Sequence, residues 1–389
     1  MDARAPTVAV IYHFFAHYRE PIIERLARSG VAKFVFIGDD HDYENSIKGG
    51  TFSSAVDLRP APTRRVCRSW MWQKGVLGAA WSKEFDQVIF LGNAYWVATW
   101  LGAIVARLRG KRVLFWSHGF LKPPAGASGW LRRVFFSLAH GHLFYGDRAK
   151  ANAVALGWDP ARIHVVRNSL DSDLQANLRE ATAEAAIDAF KAATFKNPAL
   201  PVAYCSCRLQ PGKKLELLLS ALAILARNGT PANAIIVGDG PRKAELVKMA
   251  GESGLDVHFE GACYDERRLA LLNSASTVTV SPGFVGLTAI HSMIYGVPVI
   301  TTDRSFEQAP EVEAITIGLT GDLFSDGDAE DLARVMRPWL SGTHDRVATR
   351  AACIATVERC WSPAYQQAVI EAAVVGKAPS TPTILASTR

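Results

Sequence analysis

The sequence predicts an α/β protein made of two successive, doubly wound parallel units, and three observations carry that reading. Short apolar runs ending in turn residues alternate with helix-patterned segments along the chain, as expected when parallel strands are joined by crossover helices. The alternation comes in two series, separated by a polar, alanine-rich stretch between Asp171 and Pro201. The length, 389 residues, suits two domains of ordinary size.

In the first series TVAVIYHF reads as a strand, followed by a loop and the helix PIIERLARSG. FVFIG, VIFLG, VLFWSHG and HLFYG are further strands, and ARIHVVRNSLD is the last strand and its exit loop. The stretch 171–200 is expected to be a linker helix. The second series begins with VAYCSCRL and the helix LELLLSALAILARNG, then AIIVGDG, RKAELVKMAGESG and VHFEG. DERRLALLNSA is a helix, TVTVSP a strand, and VPVITTD the strand after the next helix. The expected boundaries are 1–170 for the first domain, 201–361 for the second, a last helix at 362–376, and a disordered tail at 377–389.

Composition excludes several classes. Hydrophobic residues make up 49% and charged residues 21%, as in a soluble globular protein. The six cysteines are scattered without zinc spacing or a secreted disulfide framework, which points to a reducing compartment. The N-terminus lacks a signal-peptide layout. Residues 88–106 carry no charge and approach the length of a span, but Gly92-Asn93 divides them into a strand and a helix.

Charge is unevenly placed. Residues 1–170 hold 23 basic and 12 acidic residues, a net of +11, against a net of −5 in the remainder. No acid lies between Asp57 and Glu84, or between Asp86 and Asp147. Trp70, Trp72, Trp81 and Trp130 are interleaved with the basic residues. Such a face suits an anionic membrane surface; it is equally the pattern of a solvated positive surface over core aromatics. No nucleic-acid-binding motif accompanies it.

Four stretches offer chemistry. In Cys207-Arg-Leu-Gln-Pro-Gly-Lys-Lys214, Arg208 and Lys213 can converge on a diphosphate after a strand, a planar fork beside a point charge. Val237-Gly-Asp-Gly-Pro241 is a strand-to-helix turn, but Lys243 stands where a dinucleotide fingerprint has its third glycine, so no NAD site is expected. In SPGFVGLTAIHSMIYGVPVI, residues 281–300, Gly283 and Gly286 allow close backbone approach. The amides of Phe284, Val285, Gly286, Leu287 and Thr288 would then face an anion. His118 ends a strand of the first series and is followed by Gly119. Each stretch alone is also compatible with ordinary packing.

Together and in order, these pieces resemble the retaining GT-B glycosyltransferases, specifically the nucleotide-sugar-dependent family 4. The family's G-R-L-x-x-x-K-G segment is matched at Cys207–Lys214, with both terminal glycines lost. Its V-G-x-G-P turn is matched at Val237–Pro241, and its F-x-G-x-V/C strand end at Phe259–Cys263. Its E-G-F-G-L-x-x-L-E-A-M-x-x-G-x-P-V-I signature is matched up to Ile300, with Gly286-Leu287, Met293, Gly296 and Pro298-Val299-Ile300 kept. Asn168-Ser-Leu-Asp171 resembles the interdomain N-G-V-D, and Tyr18-Arg19 after His13-Phe14-Phe15 resembles the first-strand loop. The match is nearly continuous in the second half and looser in the first.

The resemblance implies two Rossmann-like domains facing across a cleft, with the C-terminal helix crossing back to the first. It implies Arg208, Lys213 and His118 as catalytic residues, the last contacting the donor sugar. Gly238, Gly261, Ala262, Cys263, Gly283, Phe284, Val285, Gly286, Leu287, Thr288 and His291 would bind the donor. His13, Tyr18 and Arg19 would bind the acceptor. No cofactor or metal is implied. The partners implied are a nucleotide-sugar donor, a glycan or polyprenyl-linked acceptor and an anionic membrane surface, with no nucleic acid. The place implied is cytoplasmic and peripheral, at the inner face of the membrane, in bacterial surface polysaccharide synthesis.

The sequence departs from the family at its paired glutamates, which fall on Gly283 and His291. Gly283 offers only backbone, and a neutral imidazole cannot accept two hydroxyl hydrogen bonds as a carboxylate does. Either the donor is held differently or affinity has been lost. A sugar-nucleotide epimerase or phosphorylase of the same shape, and a degenerate binding domain, share the pattern.

Overall fold

The computed structural model describes residues 4–43, 47–122, 126–304 and 306–379. The expected tail lies for the most part outside the described residues. The chain forms two compact units, the first comprising residues up to Asp171 and from Ser362, the second Ser172–Trp361.

In the first unit the strands are β1 (Thr7–Phe14), β2 (Lys33–Asp39), β3 (Leu58–Pro60), β4 (Thr63–Cys67), β5 (Trp70–Gln73), β6 (Gln87–Leu91), β7 (Arg112–Ser117), β8 (Gly141–Phe144) and β9 (Ile163–Val165). Seven of them make a parallel sheet in the order β3-β2-β1-β6-β7-β8-β9, while β4 and β5 pair with each other as an antiparallel hairpin. Strand β1 is buried on both faces, as a covered parallel sheet requires. Its Ala9 and Ile11 enter one core with Phe90, Phe115 and Phe135. Val8 and Val10 enter the other with Phe36 and Trp116, which the C-terminal helix Pro363–Val374 closes with Ile370 and Val374. The charge-free stretch 88–106 resolves into β6 and the helix Val97–Leu108. Among the described residues, no helix is long and apolar enough to cross a membrane.

The second unit holds β10 (Val202–Ser206), β11 (Asn233–Val237), β12 (Val257–Gly261), β13 (Val278–Ser281), β14 (Val299–Thr302) and β15 (Gly321–Phe324). All pair in parallel in the order β12-β11-β10-β13-β14-β15. The chain therefore winds outward in both directions from β10. The loops after β10 and β13 leave in opposite directions at the point where ligands bind such sheets. In the first unit β1 and β6 have the same relation.

The stretch expected to be one linker helix forms two, Ser172–Ala181 and Glu184–Thr194. Phe190 and Phe195 anchor the second of these and its exit beneath Tyr204 and Leu272. The polar composition that suggested a linker is partly buried, since the buried residues of the first helix are Ser172 and Gln175.

Candidate functional site

The second unit places its site at the β10/β13 switch point. Strand β10 leads into a 3-10 turn at Pro211–Lys213, after which Lys214 takes a left-handed conformation (φ 51°) and starts the helix Leu215–Arg227. This kink sends the two adjacent lysines in different directions. Lys214 Nζ pairs with Asp326 at 2.6 Å, and Arg304 Nε joins the same carboxylate at 3.0 Å. Lys213 Nζ lies 3.4 Å from the centre of the Phe284 ring and donates to the Phe284 carbonyl at 3.2 Å. Burial lowers the Lys213 ammonium from its ordinary value, because the charged form loses water there. Arg208 is exposed on the same loop, and among the described residues its guanidinium has no hydrogen bond or ion pair.

The loop after β13 is fixed from behind by Gln308, which is 2% exposed. Its Oε1 accepts from the Val285 amide at 2.7 Å, and its Nε2 donates to Thr302 O at 2.9 Å and Thr301 Oγ1 at 3.2 Å. Ser281 Oγ donates to Phe284 O at 3.2 Å. Of the five amides expected to face an anion, that of Val285 does not. Val285 is fully buried and its amide is spent on Gln308. Among the described residues the amides of Phe284, Gly286 and Leu287 carry no hydrogen bond, and Thr288 Oγ1 donates back to Ser206 O at 3.2 Å.

Gly283, where the family has a glutamate, has a positive reason to lack a side chain. A Cβ there would stand 2.5 Å from the Gly212 carbonyl oxygen and 3.1 Å from Lys213 Cα. The backbone of the lysine turn occupies that space. Gly238 (φ 133°) is similar, since a Cβ would meet Cys207 O at 1.9 Å. The two loops run edge to edge there, Cys207 N to Val237 O at 3.0 Å and Leu209 N to Asp239 O at 2.9 Å. Gly238 thus serves loop-to-loop packing.

His291 lies on the short helix Thr288–Ile294, with its Nε2 3.4 Å from Glu266 Oε2 and its ring edge-on to Tyr295. Burial pushes the Glu266 carboxyl up, but His291 and Gln175 outweigh it, and the net shift is downward. A carboxylate therefore does stand beside position 291, supplied by another helix; no motif announced it. Gly261 ends β12 and Ala262 and Cys263 follow it, Ala262 exposed and Cys263 partly buried against the cluster of Phe190, Tyr204 and Leu272. Glu260, beside them, is engaged by Arg268 at 2.6 and 2.7 Å and His258 at 2.6 Å.

The first unit brings His13, Tyr18, Arg19 and His118 into one cavity of about 1100 Å³ at its own β1/β6 switch point. Arg19 donates to Tyr145 Oη at 2.5 Å and Tyr12 Oη at 3.3 Å, and the two hydroxyls are 2.8 Å apart. His118 is reachable from the cavity, yet surrounding protein, then Arg19 and Arg132, hold its imidazole below its ordinary value, so it is neutral at pH 7. The β4/β5 hairpin, which the sequence did not announce, adds Arg65, Arg68 and Trp70 to the wall. Asp39, Asp40 and His41 are the one acid–histidine group close enough to share an ion among the described residues. Asp39 already accepts from Thr63 N at 2.6 Å and Thr63 Oγ1 at 2.7 Å.

Comparison with known proteins decides the family of the second unit. Residues 186–356 match the model of the glycosyl transferases group 1 family. The chain carries a group 1 glycosyltransferase domain. A GDP-mannose-dependent α-(1-6)-phosphatidylinositol dimannoside mannosyltransferase of Mycobacterium tuberculosis is 31% identical over 160 residues, 39% of this chain and 39% of that protein. The D-rhamnosyltransferase WbpZ of Pseudomonas aeruginosa is 37% identical over 97 residues, 23% of this chain and 24% of its own. These matches thus span well under half of either relative. Solved structures extend the likeness to the fold of nearly the whole chain. Anabaena HepE in complex with UDP superposes with a TM-score of 0.68 at 16% identity, covering 94% of this chain and 98% of its own. The lipopolysaccharide outer core galactosyltransferase WaaB gives 0.65 at 17% identity, covering 95% and 99%. The fold is GT-B.

Proposed function

We propose that the protein is a nucleotide-sugar-dependent glycosyltransferase that acts with retention of configuration on a lipid-linked or surface-glycan acceptor. The observation that carries the reading is the Lys213 ammonium, half-buried at the β10/β13 switch point against Phe284, on the same loop as Arg208, which has no hydrogen bond or ion pair among the described residues. Two cations of this kind, on the turn of a group 1 domain, suit the diphosphate of a leaving nucleotide. In the proposed reaction the acceptor hydroxyl attacks the anomeric carbon on the face from which the diphosphate departs. The bond from that carbon to the phosphate oxygen breaks as the bond to the acceptor oxygen forms. The hydroxyl proton passes to the departing phosphate, so no enzymic nucleophile is needed. Arg208 and Lys213 stabilise the phosphate charge. His291, next to Glu266, takes a donor hydroxyl.

Relatives named for a phosphatidylinositol mannoside acceptor and for lipopolysaccharide support an acceptor at a membrane. So does the surface of the first unit. Leu101, Ile104 and Leu108 project from the helix Val97–Leu108, with Leu108 81% exposed. Trp81, on the neighbouring helix Val76–Trp81, is also exposed, with the Arg109 guanidinium 4.8 Å over its ring. Exposed apolar side chains beside an arginine suit the headgroup level of an anionic bilayer. We infer that the protein works peripherally at the inner membrane face.

The test is incubation with UDP-, GDP- and dTDP-sugars, with and without membrane extract, reading nucleotide release. Release that needs the extract supports the transferase. Turnover of the donor without any acceptor would favour the epimerase reading, and absence of any nucleotide binding would leave only a binding domain.

A further inference from the structure

We propose that Cys205 and Cys207 are an oxidisable pair: a hydroperoxide joins their sulfurs in a disulfide, and the disulfide weakens nucleotide binding at the β10/β13 loops. The oxidation site stands on the two cysteines alone, whereas its effect on nucleotide rests on the glycosyltransferase reading.

The two residues straddle the end of β10, and their sulfurs are 3.9 Å apart. Residues two apart on an extended strand face the same way and have Cα atoms about 6–7 Å apart. Cys205 accordingly lies in the core cluster beneath the helix Leu215–Arg227, and Cys207 packs against the same cluster. That Cα spacing is at the long end of what a disulfide spans, so the bond forms with some movement and is readily reduced again. The second sulfur is also an addition to the loop, since the matched family motif has a glycine where Cys207 stands.

The two sulfurs differ as a stepwise oxidation requires. Cys205 is 1% exposed, whereas Cys207 is partly exposed. Their mutual hydrogen bond raises the Cys205 thiol, and burial adds to the rise. The same bond lowers the Cys207 thiol, and the Lys213 charge assists it against burial. Thiolate character therefore collects on the less buried residue. The Cys207 sulfur attacks one peroxide oxygen, the O–O bond breaks, and the thiol proton leaves with the other oxygen as alcohol or water. The Cys205 sulfur then attacks the resulting sulfenic acid, the S–O bond breaks, and the second thiol proton leaves in water. Two thiols are oxidised to one disulfide while one peroxide is reduced.

The consequence for nucleotide runs through the backbone. Cys207 N donates to Val237 O at 3.0 Å, Leu209 N donates to Asp239 O at 2.9 Å, and Ser206 O accepts from Thr288 Oγ1 at 3.2 Å. The strand end is thus pinned to both neighbouring loops, while the sulfurs must close by about 2 Å to reach bonding distance. That movement pulls on Arg208, the next residue, and on the turn that carries Lys213.

The test treats the reduced chain with hydrogen peroxide, blocks the remaining thiols with iodoacetamide and maps the peptides by mass spectrometry. The peptide holding both residues should escape alkylation, lose the mass of two hydrogens, and regain two reactive thiols after dithiothreitol. UDP, GDP and dTDP titrations on the same samples should show the bound nucleotide weakened by about tenfold or more, as expected when one charged donor is displaced, with recovery in dithiothreitol. Cys207→Ala, compared before and after peroxide, should lose this response. Full alkylation of both cysteines after peroxide would overturn the oxidation site. A disulfide that leaves nucleotide affinity unchanged, or an equal response in Cys207→Ala, would overturn its effect on the loops. A reduced chain that binds none of the nucleotides refutes the glycosyltransferase reading and that effect together, while the peptide map still decides the oxidation site.

Discussion

The Lys213 ammonium sits 3.4 Å from the centre of the Phe284 ring and 3.2 Å from the carbonyl oxygen of the same residue. The contact joins the loop after β10 to the loop after β13, 71 residues later in the chain. It holds a half-desolvated cation at the mouth of the sheet's switch point.

Removing that charge should be severe. Lys213→Ala should cut turnover by about a hundredfold or more, the usual consequence of losing one preorganised donor to developing charge. Phe284→Ala should cost less, about threefold to thirtyfold in donor affinity, since a cation–π contact contributes ~0.5–2 kcal/mol. Steady-state kinetics on both variants checks the ranking; equal defects would mean that Phe284 itself contacts the donor.

Gly283 should tolerate no side chain. Gly283→Ala sets a Cβ against the Gly212 carbonyl and the Lys213 backbone, so the turn that carries Lys213 must shift. Such overpacking costs about 1–3 kcal/mol. Thermal unfolding should show that loss, and nucleotide titration a fall in affinity. Gly283→Glu, which restores the family's residue, should be no better than Gly283→Ala. Tighter nucleotide binding by Gly283→Glu would contradict the packing account.

Gln308→Leu should loosen the same loop from behind. It leaves the buried Val285 amide without its acceptor, at a cost of ~1–3 kcal/mol. Circular dichroism melts should show the destabilisation, and donor affinity should fall with it, although no atom of Gln308 needs to reach the ligand.

How far these features were legible in the sequence differs from residue to residue. The strands were readable because each is a short apolar run closed by turn residues, and loops at their carboxyl ends are where a doubly wound sheet binds. The meaning of Gly283 was not readable. The motif marks a lost carboxylate, whereas the cause is the Gly212-Lys213 backbone, distant in sequence and pressed against it in space. Gln308 and Glu266 belong to no motif, and act through hydrogen bonds that only the folded chain creates. The β4/β5 hairpin escaped notice because most of β4 and its turn is exposed, so no apolar alternation marks it.

Acid should destabilise the first unit. His142 is 1% exposed, lies among Phe136, Phe144 and Trp158, and is pushed down to about 3 by burial, with Arg162 adding to the effect. His164, 3% exposed, is pushed down to about 4 chiefly by burial. Because the folded values lie below the unfolded ones, the unfolded chain takes up these protons first. Stability is therefore full above about pH 6.5 and falls as the pH drops from there toward the folded values, by up to ~1.4 kcal/mol per pH unit for each ring. Urea titrations at pH 7 and pH 5 should show the fall, and His142→Phe should reduce it. An unchanged slope in His142→Phe would mean that this ring protonates as freely in the folded chain as in the unfolded one.

The proposed membrane face should respond to Trp81→Ser with Leu108→Ser. Both side chains are exposed, so the fold should be unaffected. Co-sedimentation with vesicles of one quarter phosphatidylserine or phosphatidylglycerol should fall several-fold, and neutral vesicles should bind weakly from the outset. Equal binding to neutral and anionic vesicles would remove the electrostatic part of the argument.

The most direct measurement is calorimetric titration of the wild-type chain and Lys213→Ala with UDP, GDP and dTDP. A nucleotide-sugar transferase should bind at least one of the three, with the Lys213→Ala variant about tenfold or more weaker, since a hydrogen bond to a charged group contributes ~1.5–3 kcal/mol. Binding that is indifferent to Lys213, or no binding by the wild-type chain, would contradict the assignment of the β10/β13 loops as the donor site.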